Sequence, residues 1–600
     1  MEKLKSTKIL ILIIIITVVL VYAQSLNFDF VNYDDYDLVY ENSSFLSDPS
    51  NILKSFTSHA FIGKREEGVY YRPLLQISYI IDYRLWELNP LGYHATNILL
   101  HCLAAIILFL FLNILTEEKF VAYTGAMIFA LHPIQIESVG WIAGRNDILL
   151  GMFIILMIFF FAKHYIYPQS RSLFYILSVI SFVGALFTKE SAAFYLLLIP
   201  AYHLLFSNKT RIIIEKQIFL KTLPFIVVLF CYLLIRHSIF GEFIGSEKLY
   251  GKLSTSARIQ LVPAMLSEHL KLLILPINLS VEHPLDKLIW FEQPWEIISY
   301  IITIGILVTY FILIKINRVM SFVFTWLLVG LLPLLNIIPV AVPILEHRLY
   351  AASAGFAFLI PYTLHILSKE KYEKYFNAFL ILIVILYAIG TFTRLPVWKN
   401  SESLWLDAIK KAPTAHRSYY NLAGYYYDRQ EYNKSIPLLE KYLELKPGDF
   451  IGYSKLRQTY FMIGNYEKTV EICRRMIDLD PKSQNRHYDL GIFFEKINMI
   501  DSAINFYRDV LSHNPGFYKI LDHLGTLFLK KDLPDSAEKY FNSAIEINHE
   551  YTPSYFNLGT LYYRQGRDSM ALSIIRAGMV YGDAPENIRI ILNKLQTTNR

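Results

Sequence analysis

Cysteine is nearly absent. The 600 residues hold three, Cys102, Cys231 and Cys473, far apart and with no CxxC pair, so neither a disulfide framework nor a thiolate zinc site organises the chain. Charge is also scarce: 18% of residues are Asp, Glu, Lys or Arg against 54% apolar or aromatic, which excludes a disordered chain and a wholly water-soluble one. Lys and Arg never run beyond a pair and the net charge is only +6, so nucleic-acid binding has little support. The charge that exists is uneven. Residues 393–600 carry 52 of the 108 ionised side chains, about a quarter of that stretch, while the preceding 392 residues carry 56. A membrane part, 1–392, and a water-facing part, 393–600, are the expected domains.

Long apolar runs fill the first part. Stretches of the length a membrane-crossing helix requires, about 20 residues, fall near 9–23, 94–115, 120–136, 148–167, 172–188, 191–206, 218–235, 296–314, 320–339, 350–367 and 376–392. That predicts eleven spans, the first read as an uncleaved helix, not a signal peptide. With the N-terminus inside, the cations Lys119, Lys163, Arg171, Lys209, Arg211, Lys216, Lys315, Arg318, Lys369, Lys371 and Lys374 fall on the cytoplasmic side, as the positive-inside rule asks. Residues 71–86 and 258–277 carry charges within apolar stretches and are expected to lie in the interface as amphipathic helices. Eleven spans put the C-terminal part outside.

That part is periodic. Pro447, Pro481 and Pro515 recur every 34 residues, with Pro413 and His549 in the same register. Each unit places Leu and a second residue at Leu422-Ala423, Leu456-Arg457, Leu490-Gly491, Leu524-Gly525 and Leu558-Gly559, then an aromatic at Tyr426, Tyr460, Phe494, Phe528 and Tyr562. A small residue opens the second helix at Ser435, Thr469, Ala503, Ala537 and Ala571. Small residues let two helices approach and the aromatic fills the gap to the next hairpin, so these positions are packing positions and the array is an interaction surface. The pattern resembles the tetratricopeptide repeat: about five copies from 416, with 398–413 fitting the second helix of a preceding half repeat.

Polar residues gather at the outer ends of the expected spans. They read N-Y-D-D-Y at 32–36, L-H-P-I-Q-I-E-S-V-G-W-I-A-G-R-N-D at 131–147, T-K-E-S at 188–191 and I-L-E-H-R-L-Y at 344–350. Ionisable groups at membrane depth are costly, and four clusters on one side point to an outward-facing site. His94, Asn97 and His101 share a helix face without a carboxylate at ligand spacing, so hydrogen bonding between helices is expected of them and not metal binding. Tyr70-Tyr71-Arg72-Pro73-Leu74 reads as an anchor for the interfacial helix.

Those four motifs, with G-Y-H-A-T-N-I-L-L-H at 92–101 and the terminal array, resemble the transmembrane and tetratricopeptide-repeat-containing O-mannosyltransferases of the GT-C superfamily. The likeness runs in order along nearly the whole chain. Two departures stand out: Tyr33 precedes the acidic pair where the family commonly has Phe or a larger aromatic, and the repeat array is shorter. The resemblance implies an all-α fold, a polytopic helix bundle followed by an α-solenoid. It also implies transfer of a sugar, mannose in the best-known members, from a polyprenyl-phosphate donor to a Ser/Thr hydroxyl of a translocated protein. On this basis Asp34 is the expected base and Asp35 its orienting neighbour. Arg145, Lys189, His347 and Arg348 are candidates for the donor phosphate, while His132 and Glu137 position the sugar or structure the loop. A hydroxyl nucleophile needs a base and a departing phosphate needs fixed cations. No cofactor or metal is required, and the repeats are the expected partner surface for the acceptor. The compact loops suggest a bacterial plasma membrane ahead of an endoplasmic reticulum. Two other readings compete: transfer of another sugar or glycan to lipid or polysaccharide, and a non-catalytic scaffold that recruits partners through its repeats.

Overall fold

The computed structural model describes residues 6–60, 70–207, 211–241, 254–284, 292–337, 344–368, 372–480 and 484–598. Lys3, Lys5, Lys209, Lys369, Lys371 and Pro481 lie outside them. Among the described residues the chain is built from helices and contains no strand, as expected of a helical membrane protein joined to a solenoid.

Apart from short turns of helix, the helices described for the first part are α1 (Thr7–Tyr22), α2 (Pro73–Trp86), α3 (Pro90–Thr116), α4 (Lys119–Leu131), α5 (Ile136–Gly140), α6 (Arg145–Ile166), α7 (Arg171–Thr188), α8 (Leu198–Phe206) and α9 (Arg211–Phe240). They continue with α10 (Thr255–Ile274), α11 (Trp295–Ile316), α12 (Arg318–Leu331), α13 (Tyr350–Leu367) and α14 (Glu373–Arg394). Eight segments are long and apolar enough to cross a membrane: Thr7–Asn27, Pro90–Thr116, Arg145–Ile166, Arg171–Thr188, Lys216–Phe240, Trp295–Ile316, Glu346–Leu367 and Glu373–Trp398. The protein is a multi-pass membrane protein. Three of the eleven expected spans are shorter, at Lys119–Leu131, Ala192–Phe206 and Arg318–Leu334. Thirteen helical residues reach only about 20 Å against a hydrocarbon core of about 30 Å. Proline accounts for two of these shortfalls. Pro133 and Pro333 cannot donate to a continuing helix, and the chain passes into a short 3₁₀ turn at each.

Large apolar side chains face outward in a belt, as on Trp295–Ile316, where Ile301, Ile304 and Phe311 are exposed. Polar side chains turn inward. On α2, Asp82 and Gln76 are buried while Ile81 and Leu85 are exposed; on α10, Glu268 and His269 are buried while Ile259 and Ile274 are exposed. Neither helix is among the segments fit to cross. α12 and α13 come together through small residues: a Cβ added at Gly330 would stand 2.7 Å from Ala352 Cβ, and one at Gly355 would stand 2.9 Å from the Leu327 nitrogen. Such contact lets membrane helices associate where water offers no hydrophobic drive.

The remaining helices follow the 34-residue period. First helices begin at His416, Phe450, Gln484, Tyr518 and Thr552, and second helices at Tyr432, Tyr466, Ile500, Pro534 and Asp568. They are preceded by α15 (Ser401–Lys411), and the first pair is named here α16 (His416–Asp428) and α17 (Tyr432–Leu445). Leu422, Leu456, Leu490, Leu524 and Leu558 are buried, as are the five aromatics of the motif. The chain forms two compact units, Met1–Lys446 and Pro447–Arg600. The expected division at 392/393 is a change of composition. The division in contacts comes later, with the half repeat and the first full repeat counted in the unit that holds the apolar helices.

Candidate functional site

The acidic loop follows the 3₁₀ continuation of α1. Asn32 is fixed three ways: its amide donates to Ser401 Oγ at 2.8 Å, its Nδ2 to the Asn421 carbonyl at 2.8 Å, and its Oδ1 accepts from Trp405 Nε1 at 2.7 Å. Tyr33 stacks on Trp141 with ring centroids 4.8 Å apart and meets Trp405 edge-on. Asp35 is 1% exposed. Its Oδ2 accepts from the Val31 amide at 3.1 Å and its Oδ1 from the Ala143 amide at 2.8 Å. Burial nonetheless pushes its carboxyl up to about 7. Asp34, between Tyr33 and Asp35, is half-buried.

The Trp141–Ala143 turn that receives Asp35 is the hinge between α5 and α6. It permits no side chain at Gly144, where a Cβ would stand 2.6 Å from the carbonyl oxygens of Glu137 and Ser138. Glu137 on α5 is buried and reaches the last motif. Its Oε2 accepts from the His347 amide at 3.0 Å, and its Oε1 lies 2.9 Å from His347 Nδ1. Burial pushes Glu137 up to about 7, opposed by the His347 amide and by His283, Arg348 and Arg417 nearby.

Lys189 follows α7. Its Nζ stands 2.7 Å from Asp147 Oδ1 on the first turn of α6, and the other oxygen of Asp147 lies 4.0 Å from His347 Nε2. Burial lowers Lys189; Asp147 opposes that, and the neighbouring cations Arg72 and Arg348 reinforce it. Arg72, just before α2, is buried, pairs with Glu190 at 3.7 Å and lies over the Tyr70 ring. Burial works against its charge, yet Glu190, Tyr70, Asp147 and Asp34 outweigh burial and strengthen its hold on the proton. Its Nε is buried without a hydrogen-bond partner among the described residues. Lys189 thus feels both Arg72 and Arg348, and all three cations lie within electrostatic reach of His347. Bringing like charges together out of water is costly unless anions compensate them, and here Glu190 stands by Arg72 and Asp147 by Lys189.

Two expected site residues are occupied elsewhere. The Arg145 guanidinium is fully buried, 2.5 Å from Asp82 Oδ2, with its Nε donating to Asn97 Oδ1 at 2.7 Å and its Nη2 to the Tyr93 carbonyl at 2.9 Å. That geometry ties α2, α3 and α6 together and leaves no fork for a ligand. His132 accepts from the Ile134 amide at 3.1 Å and meets the Leu273 carbonyl at 2.8 Å through Nε2, packed on Tyr387. Both nitrogens are taken up at the turn after α4. Asn97 donates to the Trp141 carbonyl, and His101 bridges Tyr350 and the Ala130 carbonyl, so the shared face of α3 does join helices. Arg72 is the member that the sequence reading placed outside the site, as an anchor. An arginine within an apolar stretch, just before a helix-opening proline, is the signal that the sequence offers. Among the described residues no group of three or more His, Cys, Asp or Glu side chains is arranged to hold a metal ion.

The fold and this arrangement define a class: a multi-pass helical membrane protein with an acidic loop facing buried cations, continued by a tetratricopeptide solenoid. The tetratricopeptide repeat family matches residues 416–449. A protein O-mannosyl-transferase of Caenorhabditis elegans is 25% identical over 442 residues, covering 70% of this chain and 60% of its own. Protein O-mannosyl-transferase TMTC3 of Homo sapiens is 22% identical over 481 residues, covering 73% and 52%. Among solved structures, the crystal structure of MamA aligns with 27% of this chain and 94% of its own at 20% identity, with a TM-score of 0.22. The homologues are thus named protein O-mannosyl-transferases, the family that the motifs resemble, and the chain spans 60% or less of the length of the two described.

Proposed function

We propose that the chain is a membrane glycosyltransferase that moves a sugar, mannose by the names of its relatives, from a polyprenyl-phosphate donor to Ser/Thr hydroxyls of a translocated protein. The observation that carries this reading is the half-buried Asp34 within the electrostatic reach of Arg72 in a cluster that also holds Lys189 and Arg348. In one inverting displacement, Asp34 takes the proton from the acceptor hydroxyl as its oxygen attacks the anomeric carbon. The bond from that carbon to the phosphate oxygen breaks, and the electron pair leaves with the phosphate. Arg72, Lys189 and Arg348 meet the growing charge in a site partly shielded from water, where preorganised cations are most effective. Asp35, bonded at both oxygens, holds the loop. Glu137 and His347 hold the opposing motif. Arg145 and His132 serve the scaffold.

The donor headgroup sits at a membrane surface, which fits a site on loops between apolar helices. The reading places the N-terminus in the cytoplasm and the repeats outside it, where they engage the acceptor, in a bacterial plasma membrane or otherwise an endoplasmic reticulum.

The test is transfer by purified protein in lipid nanodiscs, given polyprenyl-phosphate mannose and a Ser/Thr peptide. Asp34→Asn keeps size but removes the base, so transfer falls by roughly 10²-fold or more while donor binding persists. Transfer at the wild-type rate by Asp34→Asn overturns the assignment, and sugar appearing on lipid instead of peptide overturns the acceptor class.

A further inference from the structure

We propose that Arg417, on the first turn of the first full repeat, is a positioning residue of the transfer site that couples the acidic loop to the 344–350 motif. The inference rests on the transferase reading for its kinetic consequence, but its geometry stands independently. Arg417 lies over the Tyr33 ring at 5.2 Å and donates from Nη2 to the Tyr33 hydroxyl at 3.2 Å. Its Nε donates to Glu282 Oε1 at 2.5 Å. One planar guanidinium thus grips two segments that are remote in sequence, a geometry the point charge of lysine does not reproduce.

Each grip leads to a reacting group. Tyr33 adjoins Asp34 and is stacked on Trp141, the residue that opens the turn receiving Asp35. Glu282 adjoins His283, whose Nε2 lies 2.9 Å from Glu346 Oε1; the same oxygen accepts from the Ser280 amide at 2.5 Å. Glu346 precedes His347 and Arg348. The segment 279–283 is held at its other end by two further cations: the Leu279 carbonyl accepts from Arg394 at 2.5 Å and from Lys411 at 2.7 Å, and both cations pair with Asp407. Glu137, which carries the His347 amide, also feels the Arg417 charge. The base side and the phosphate side of the site are therefore braced against one side chain supplied by a repeat. Small errors in the separation of base and leaving-group cations are expensive in rate, because reaction needs both in register.

The experiment uses the full-length protein with Arg417→Ala, Arg417→Lys and Glu282→Gln. Arg417→Ala is expected to lower kcat for transfer about tenfold or more while KM for polyprenyl-phosphate mannose changes less than about twofold. Hydrogen exchange should rise in 28–36 and 279–283 and stay unchanged in the helices Pro90–Thr116 and Arg145–Ile166. Arg417→Lys should recover protection of 279–283 through the Glu282 pair, but not of 28–36. Glu282→Gln should loosen 279–283 alone. Unchanged exchange in both segments in Arg417→Ala overturns the coupling, as does exchange rising throughout the chain, which would make Arg417 a folding residue. A wild-type kcat in Arg417→Ala overturns the positioning role. A wild-type protein that transfers no sugar, while Arg417→Ala still loosens both segments, overturns the transferase reading and leaves the coupling standing.

Discussion

Two adjacent aspartates take different parts, and what each meets decides which. Asp35 spends both oxygens on backbone amides, one of them in a turn more than a hundred residues away; Asp34 remains half-buried beside the cations. The family resemblance divides the labour in the same sense, Asp34 as base and Asp35 as its orienting neighbour, but the contact that holds Asp35 is not legible in sequence, because the amide of Ala143 reaches it only through the tertiary fold. The division has a pH signature. Burial raises the Asp35 carboxyl from the ordinary range to about 7, so the folded protein holds a proton that the unfolded chain has already released. Stability from this group is complete below about pH 4 and is lost as pH rises through 7. Asp35→Asn removes that proton exchange at the cost of one amide contact. The variant is expected to melt below the wild type at pH 5, with the gap narrowing toward pH 8, read by thermal unfolding in detergent. A gap of constant size would show that Asp35 is not a raised carboxyl in the folded state.

At the scale of helices, the buried pair between Arg145 and Asp82 joins α6 to α2, with Asn97 of α3 as third member. Sequence reading assigned Arg145 to the donor because cations suit phosphates. It had no means of pairing it with Asp82, which lay in a helix expected at the interface. Leaving one ion of such a pair uncompensated costs about 3–5 kcal/mol. Asp82→Asn is expected to lower the melting temperature and yield sharply, while the protein that does fold binds polyprenyl-phosphate mannose as well as the wild type, checked by thermal unfolding and by donor binding. Weakened donor binding in folded Asp82→Asn protein would return Arg145 to the site. Other elements were legible from the start. The 34-residue period gave every repeat helix its position, since packing positions repeat with the backbone. Apolar runs located all eleven helical segments but overstated three of them, because hydrophobicity continues past the residues where Pro133 and Pro333 end the helix.

For the whole molecule those three short segments decide which side the repeats occupy. Eleven crossings carry the C-terminus to the opposite side from the N-terminus; the eight long helices alone would return it to the same side. The inward cations of the short connections favour eleven. A reporter that is active only outside the cytoplasm, fused after Arg600, is expected to be active. An active cytoplasmic reporter there would leave the short helices as re-entrant pieces and would put the repeats out of reach of a translocated acceptor.

The first compact unit ends at Lys446, after one full repeat. Tandem arrays evolve by duplicating or dropping whole units, and neighbouring units contact only each other. Asn421 and Arg417, the repeat side chains that hold the acidic loop, lie before that point, so the first repeat answers to two sets of contacts at once, those of its array and those of the loop.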